Sequence, residues 1–221
     1  MYDLHTHTTF SDGELIPAEL IRRAQVAGYR AVAITDHVDH TNIFWVLEGL
    51  LSGVAQLQLS FDIEIIVGVE LTHVPPPLIP ELIDVARKNG AQVVVVHGET
   101  IVEPVKEGTN LAAIEGGADI LAHPGLIKEE EVRLAARQGV FLELSTRKGH
   151  SLTNGHVASL ARQYGAPLIL NNDAHSPEDL IFVEKRRLIA QGAGLSEEEF
   201  LEMEADTERF IQRLSRGARP L

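Results

Sequence analysis

Histidines and acidic residues recur in this chain directly after short apolar segments, a pattern typical of metal sites. The first example is His5-Thr6-His7, which follows the apolar start of the chain. On a strand, residues two apart point to the same face, so both imidazoles can reach one ion. Imidazole and carboxylate groups suit Zn, Mn and Fe. Such a cluster would support metal-assisted hydrolysis.

Six predicted strands run into residues of this kind. The strands and the residues that follow them are Tyr2–Leu4 with His5 and His7, Ala31–Thr35 with Asp36 and His37, Ile63–Val69 with Glu70, Gln92–Val96 with His97, Ile120–Ala122 with His123, and Leu168–Leu170 with Asp173 and His175. In folds that alternate parallel strands with helices, the C-terminal ends of the strands gather on one face. These side chains are therefore expected to meet in one space.

The elements that must position them alternate in a regular rhythm of strand, loop and helix. Val140–Leu144 adds a seventh strand, and segments such as Val93–Val96 are wholly apolar, as in strands covered on both faces. This alternation favours a parallel α/β barrel over separate domains. We expect one domain over residues 1–221, with the barrel at about 1–190 and a helical tail at about 191–221.

Composition excludes several other classes of protein. The chain has 221 residues, no cysteine and a formal net charge of −13. It therefore has no disulfide or thiolate nucleophile, and an extended nucleic-acid partner is not expected. No apolar run is long enough for a membrane span and no leader peptide is recognisable, so a cytoplasmic location is expected. The basic triplet Lys185-Arg186-Arg187 is expected to lie on a solvated face or at the C-terminus of a helix.

The motifs occur in an order that resembles one known family. His5-Thr6-His7 is followed by the turn Ser11-Asp12-Gly13, which can swing a carboxylate over the strand end. The later motifs are Thr35-Asp36-His37, Gly68-Val69-Glu70, His97-Gly98, Ala122-His123-Pro124-Gly125 and Asn172-Asp173-Ala174-His175. Over residues 5 to 175 the chain resembles the PHP (polymerase and histidinol phosphatase) superfamily. The resemblance implies a single PHP domain with a distorted (β/α)7 TIM-like barrel.

The resemblance also implies three divalent metal ions (Zn, Mn or Fe) and a set of ligands. His5, His7, Glu70 and Asp173 would hold one ion. Glu70 would bridge to a second ion that His97 and His123 complete. Asp12, His37 and His175 would hold the third. Some family members have histidine at the position of Asp12, which could alter the metal preferred there.

This implied centre favours a phosphate ester as the substrate. Three divalent ions outweigh the charges of Asp12, Glu70 and Asp173, and a cationic pocket suits a small anionic group. The expected mechanism is in-line attack of a metal-bridging hydroxide on phosphorus. The expected activity is therefore that of a histidinol-phosphatase-like phosphomonoesterase acting on a small phosphorylated metabolite.

Residues in the strand-to-helix loops are expected to bind the substrate or to assist catalysis. Arg147 can bind phosphate oxygens bidentately, and Lys148 is a weaker substrate contact. His150 is a possible general acid to the leaving group. His40 and His73 lie just beyond ligand-bearing strands and are expected to contact the substrate or support ligands.

Four further acidic residues are candidates for supporting ligands. Asp36 is assigned with Arg147 and His150 to the catalytic residues, and is expected to position its neighbour His37. Glu143 lies among apolar residues of a strand and is expected to orient a ligand imidazole. The two acids in the loop after His97, Glu99 and Glu103, either do the same or face solvent.

Three other functions stay open at this point. A phosphodiesterase or nuclease acting on nucleotides or short oligonucleotides would use the same metals, and exposed basic and aromatic residues would favour it. An inactive PHP scaffold module would be expected to lose ligands, and this chain keeps them. The amidohydrolase superfamily shares the two-histidine strand but calls for a bridging Lys or acid where this chain has His97. The native metals, the oligomeric state and the leaving group are not determined by these patterns.

Overall fold

A nearly closed barrel of parallel strands, wrapped by helices, forms the body of the computed structural model, which describes residues 1–215 and 217. The strands are β1 Tyr2–Asp3, β2 Ala31–Ile34, β3 His37–Val38, β4 Glu64–Leu71, β5 Val93–His97, β6 Ile120–Ala122, β7 Phe141–Ser145 and β8 Leu168–Asn171. The helices are α1 Pro17–Val26, α2 Ile43–Leu57, α3 Ile79–Lys88, α4 Thr109–Glu115, α5 Glu129–Gln138, α6 Asn154–Tyr164, α7 Val183–Gly192 and α8 Glu197–Ser215. Single 3₁₀ turns occupy Pro76–Leu78, His150–Thr153 and Pro177–Asp179.

The strands pair in the order β1-β2-β4-β5-β6-β7-β8, and every pair is parallel. The short strand β3 also pairs with β4, so it continues β2 after an interruption at Thr35-Asp36. The first and last strands meet just beyond their ends, where the His7 amide donates to the Ala174 carbonyl at 2.8 Å. The predicted distorted (β/α)7 TIM-like barrel is confirmed.

Two apolar layers explain why the strands are hydrophobic on both faces. Along β5, Val93 and Val95 face the barrel interior, whereas Val94 and Val96 belong to the layer between the sheet and the helices. This alternation is the period of two that a strand imposes. Because both faces are covered by protein, both sets of valines are buried.

The last helix closes the N-terminal end of the barrel. Phe210 and Ile211 of α8 join the interior layer, and the Phe210 ring lies 5.0 Å from that of Phe141. The predicted tail thus contains the end of α7 and all of α8, although residues 216 and 218–221 lie outside the described residues. No helix in the described part of the chain is long and apolar enough to cross a membrane.

The basic triplet of α7 departs from the sequence-based expectation. Lys185 and Arg187 are exposed, but Arg186 is fully buried. Its Nη2 donates to the Leu170 carbonyl at 2.6 Å and to Glu204 of α8 at 3.1 Å. Arg186 therefore fastens α7 and α8 to strand β8, and the expectation of a wholly solvated face was wrong for this residue.

Candidate metal centre

A pocket of about 250 Å³ opens at the C-terminal face of the barrel. All nine sequence-predicted ligands belong to overlapping groups around it, in which ligand atoms lie within 4.8 Å of one another. They form three larger groups. The first joins His5-His7-Glu70 with His5-His123-Asp173, the second is Glu70-His97-His123, and the third is His7-Asp12-His37-His175. The fold thus brings together residues that the sequence distributes over more than 160 positions.

Glu70 lies at the centre of the first group. Its Oε1 is 3.2 Å from His5 Nε2, and its Oε2 is 3.8 Å from His7 Nε2. Asp173 faces the same two histidines, with Oδ1 3.3 Å from His7 Nε2 and 3.7 Å from His5 Nε2. All four side chains are almost fully buried. Two carboxylates and two imidazoles therefore converge on one small volume.

The second group shares Glu70 and adds two histidines from β5 and the loop after β6. His123 Nε2 lies 3.8 Å from Glu70 Oε1. The rings of His97 and His123 meet edge to face with centroids 4.5 Å apart. His97 Nδ1 contacts the Gly98 carbonyl at 3.2 Å, so Nε2 is the ring nitrogen that could bind a cation.

The third group lies nearer the surface. Asp12 Oδ1 is 3.4 Å from His37 Nε2 and 3.3 Å from His175 Nε2, and those two nitrogens are 3.4 Å apart. On its other side, His37 Nδ1 lies 2.6 Å from Glu70 Oε2. Glu70 is thus adjacent to all three groups.

Buried hydrogen bonds orient these side chains. Glu143 Oε1 accepts from His5 Nδ1 at 2.8 Å and from Asn171 Nδ2 at 2.9 Å, while its Oε2 accepts from the His123 amide at 3.0 Å. One carboxylate on β7 therefore supports two ligand positions. Such partners fix the ring orientation and the tautomer of a ligand histidine.

Asp36 is buried and acts on the loop that carries Asp12. It accepts from the Thr8 amide and hydroxyl, each at 2.7 Å, and from the Ser11 hydroxyl at 2.6 Å. Burial raises the pKa of this carboxyl. These contacts fix the turn between His7 and Asp12, whereas the expectation that Asp36 positions His37 stays a prediction.

Burial and neighbouring charges set the protonation of the innermost residues. Burial acts to lower the pKa of His5, but the carboxylates of Glu143 and Glu70 outweigh it and hold that pKa well above its usual value. Burial prevails at His7, whose pKa lies well below the usual value. Burial also raises the pKa of Asp173 to about 7. Without cations, the site therefore needs protons to balance its charge.

Orphaned polar atoms show that the donor set fits metal ions. Among the described residues, His5 Nε2, both ring nitrogens of His7, Glu70 Oε1 and His123 Nδ1 make no hydrogen bond, although carboxylate oxygens lie 3.2 Å from His5 Nε2 and 3.3 Å from His7 Nε2. Buried polar atoms without partners are rare in proteins and call for an explanation. Nitrogen and carboxylate ligands converging from several strands match the ligand preferences of Zn, Mn and Fe.

The backbone is strained at the same place. In the described part of the chain, the non-glycine residues with positive φ are His73 (53°), His123 (26°) and Asp173 (52°). Such conformations are costly for residues with a Cβ and cluster at functional sites. Two of the three are predicted ligands, and the third, His73, also lines the pocket.

The predicted catalytic residues Arg147 and His150 both line the pocket. Arg147 Nη1 donates to the Asp173 carbonyl at 3.1 Å and lies 2.9 Å from His175 Nδ1. His150 stacks on His123 with centroids 4.0 Å apart, and its Nδ1 bonds the Thr100 hydroxyl at 2.8 Å. Burial lowers the pKa of His150 to about 4.

The remaining expected substrate contacts divide into two sets. His73 lines the pocket and stacks on His97 with centroids 5.3 Å apart. Lys148 and His40 are exposed and are not part of the pocket lining.

Glu99, which was expected either to support a ligand or to face solvent, stabilises its own loop. It accepts from the Gly108 and Asn110 amides at 2.9 Å each.

Glu103 is the pocket residue whose position the sequence left open. Its carboxylate lies 3.1 Å from His97 Nε2 and 3.4 Å from His150 Nε2. The hydrogen bond with His97 lowers the pKa of Glu103 to about 2. Loop residues carry no periodicity that would predict such a contact. The available signal in the sequence was that two acidic residues, Glu99 and Glu103, follow the candidate ligand His97 within one loop.

Comparisons with known proteins agree with this geometry. A family model described as PHP domain matches residues 3–163. An uncharacterized protein of Methanocaldococcus jannaschii is 50% identical over 200 residues, covering 90% of this chain and 92% of that protein. Ribonuclease P protein component 3 of Methanosarcina barkeri is 30% identical over 229 residues, covering 96% and 89%. A protein of Thermoanaerobacter sp. named probable phosphatase is 26% identical over 216 residues, covering 89% and 87%.

Solved structures show the same fold in more distant proteins. The N6-methyl-AMP deaminase of Arabidopsis thaliana superposes with a TM-score of 0.55 at 11% identity, covering 91% of this chain and 88% of that chain. At this identity the likeness concerns the barrel alone.

Proposed function

Because the chain belongs to the PHP domain family, we propose that it is a metal-dependent phosphomonoesterase acting on a small phosphorylated metabolite. The observation that carries the proposal is the convergence of the nine candidate metal ligands in overlapping groups at and beneath one pocket, several with buried nitrogen or oxygen atoms that make no hydrogen bond. A pocket built for several cations is suited to a phosphate group, whose charge the cations would balance.

We assign these ligands to three divalent cations, Zn, Mn or Fe. His5, His7, Glu70 and Asp173 would hold the first, and Glu70 would be shared with a second held by His97 and His123. Asp12, His37 and His175 would hold the third. The short distances within each group support this division. When bound, such ions lower the pKa of coordinated water and stabilise charge on phosphoryl oxygens.

Arg147 is assigned the role of binding the substrate phosphate. Contacts to the Asp173 carbonyl and the His175 ring hold its guanidinium at the pocket wall. Its side chain is about a third exposed, at 31%, so part of its donor fork remains available to a ligand. A guanidinium in this position can bind two phosphate oxygens at once.

The environment of His150 disfavours the role of general acid that the sequence suggested for it. Its pKa of about 4 means that the ring is neutral near pH 7, and nearby cations would lower that pKa further. Its place in the pocket wall, beside Thr100 and His123, supports a part in shaping the site. The general-acid role of His150 therefore stays a prediction that its environment disfavours.

The volume of the pocket and the net charge of the whole chain support a small monoester as the substrate. The pocket volume of about 250 Å³ lies below the range of about 300–1,000 Å³ for drug-sized ligands. A pocket of this size favours a small ligand over an extended one. A net charge of −13 does not suit an extended nucleic acid.

A second candidate is hydrolysis of a nucleotide or short oligonucleotide. Phe44 and Trp45, at the start of the helix that follows the His37 strand, are exposed by 59% and 60%. Exposed aromatic rings near a phosphate site can stack on nucleobases. The likeness to a ribonuclease P component is consistent with this alternative. An inactive scaffold is less favoured because the ligand set is complete.

A phosphate-release screen tests the proposal. Protein stripped with chelator is reconstituted separately with Mn, Fe or Zn and offered phosphorylated metabolites, mononucleotides and dinucleotides. We expect metal-dependent release of phosphate from a monoester, and its loss in Glu70→Gln. Glu107→Gln, an exposed change on the same face, serves as the control. Release from dinucleotides alone would support the second candidate, and no turnover with any metal would reject both.

Substitution of Arg147 tests its assignment. Arg147→Ala removes a charge-assisted contact to phosphate, which is worth about 1.5–3 kcal/mol. We therefore expect KM for the best monoester to rise by about 10–100-fold. Steady-state kinetics measure this, with Lys148→Ala as a comparison one residue along the chain. An unchanged KM in Arg147→Ala would remove Arg147 from the substrate site.

A further inference from the structure

One more acidic side chain reaches this pocket from outside the nine assigned ligands. Glu103 lies in the segment 98–110, which runs from the end of β5 into the first turn of α4 and which we call the strap. With His73 and His97 it forms a further group whose ligand atoms lie within 4.8 Å of one another. His97 belongs both to this outer group and to the inner group with Glu70 and His123.

The strap is anchored so that Glu103 stays at the mouth of the pocket. At its ends, the Glu99 carboxylate accepts from the Gly108 and Asn110 amides, and the Glu99 amide donates to Asn110 Oδ1 at 2.9 Å. Directly after Glu99, the Thr100 hydroxyl bonds His150 at 2.8 Å. The placement of Glu103 is therefore fixed by contacts on both sides of it.

The distance between Glu103 and His97 matches that between two ligands of one ion, whereas His73 lies slightly farther away. Its Oε2 lies 3.1 Å from His97 Nε2 and 3.6 Å from His73 Nε2. Two ligands each about 2.1 Å from an ion are separated by roughly 3.0–3.4 Å in octahedral or tetrahedral coordination. The His97–Glu103 separation falls in that range.

His97 limits how this group can be used. Its Nδ1 faces the Gly98 carbonyl, so Nε2 is the nitrogen available to both the inner and the outer group. One nitrogen lone pair binds one cation, and an independent fourth ion on His97 is excluded. The outer group must therefore act on the same cation that His97 would bind in the inner group.

We propose that Glu103 is an additional ligand for the cation held by His97 and His123, with His73 supporting it. The proposal rests on the metal centre of the proposed function and adds to it a carboxylate on a loop. His73 adopts a left-handed backbone conformation, with φ of 53°, that brings its ring onto His97. A loop-borne carboxylate on this cation would couple metal occupancy to the order of the strap.

Metal titration of stripped protein with Mn²⁺, and in parallel with Zn²⁺, tests this. Binding is followed by calorimetry and by competition with a fluorescent chelator, so the readout does not depend on turnover. In Glu103→Gln we expect the dissociation constant of one site, the one that contains His97 and His123, to rise about tenfold or more. The dissociation constants of the other two sites should not change. His73→Asn should give a smaller rise in the same constant.

Glu107→Gln provides the matched control because it makes the same change of charge in the same strap. Glu107 pairs with Lys128 on the surface, and its side chain is 83% exposed. Its titration should coincide with that of the unaltered protein. Hydrogen exchange gives an independent readout: metal should slow exchange in the strap of the unaltered protein and of Glu107→Gln, but much less in Glu103→Gln.

Two results would distinguish a failure of the role given to Glu103 from a failure of the whole metal centre. If Glu103→Gln binds both metals as tightly as the unaltered protein, or more tightly, Glu103 merely pairs with histidines and this inference is wrong. If the unaltered protein itself binds neither metal, the metal centre of the proposed function fails along with it.

Discussion

The Glu143 side chain contacts two ligand positions without facing the pocket itself. It is fully buried, and it joins the His5 ring, the His123 amide and the Asn171 side chain. Its charge raises the pKa of His5 in the absence of metal and would increase the basicity of that imidazole toward a cation. At the scale of single residues, we therefore expect the affinity for metal to depend on groups behind the candidate ligands.

Glu143→Gln should weaken metal binding while leaving the fold intact. The amide has nearly the same shape, but it lacks the negative charge that orients His5, and its NH2 group replaces the oxygen that accepts from the His123 amide. Loss of such a supporting partner typically costs about 10–100-fold in metal affinity. Calorimetric titration with Mn²⁺ measures this, and Glu115→Gln, an exposed change on α4, is the control. Equal affinities in the two variants would contradict the role given to Glu143.

Most of the candidate ligands were recognisable in the sequence because they follow apolar strands. His5, Glu70 and His123 are recognisable by residue type and by position at a strand end. The contacts of Glu103 were not, since a loop has no periodicity and its path depends on distant partners such as Asn110. The burial of Arg186 was hidden for a similar reason. Its carbonyl partner lies on β8 and its carboxylate partner on α8.

At the scale of elements, Gly68 of β4 allows the close approach of the neighbouring strand. Gly68 pairs with Val93 two residues before Glu70. A Cβ at Gly68 would lie 2.4 Å from Val93 Cγ1 and 2.5 Å from the Val93 carbonyl oxygen. Neither neighbour can move without shifting β5. The position of Glu70 on β4 therefore depends on residue 68 having no side chain.

Gly68→Ala should destabilise the protein and disturb the centre of the site. Overpacking of this kind costs about 1–3 kcal/mol of unfolding free energy. Gly53→Ala is the matched control, because a Cβ there meets nothing within 4 Å and Gly53 lies within helix α2. That change should stabilise the protein by about 0.5–1 kcal/mol. Urea unfolding measures both, and equal stabilities would refute the packing argument.

At the scale of the whole molecule, metal binding and stability should be linked. The centre buries imidazoles and carboxylates from strands across the barrel, and some of their polar atoms have no partner among the described residues. Cations that bind only the folded chain stabilise it by mass action. The same groups that prepare the site for metal therefore weaken the fold without it.

Removal of metal with a chelator should lower Tm. At a free cation concentration of 100 times Kd, binding contributes about 2.7 kcal/mol. For a chain of this size that corresponds to a shift of roughly 5–10 °C. Thermal unfolding with and without Mn²⁺ measures it, and Glu70→Gln should show a smaller shift. A Tm that does not respond to any divalent cation would contradict the linkage.

The central claim is that residues from distant strands form one centre for several divalent cations. Anomalous diffraction from crystals grown with Mn²⁺ tests it most directly. We predict separate peaks in contact with Glu70, one beside His5, His7 and Asp173 and one beside His97 and His123, with a third beside Asp12, His37 and His175. An absence of anomalous peaks in this pocket at saturating Mn²⁺, or peaks only on surface carboxylates, would contradict the account.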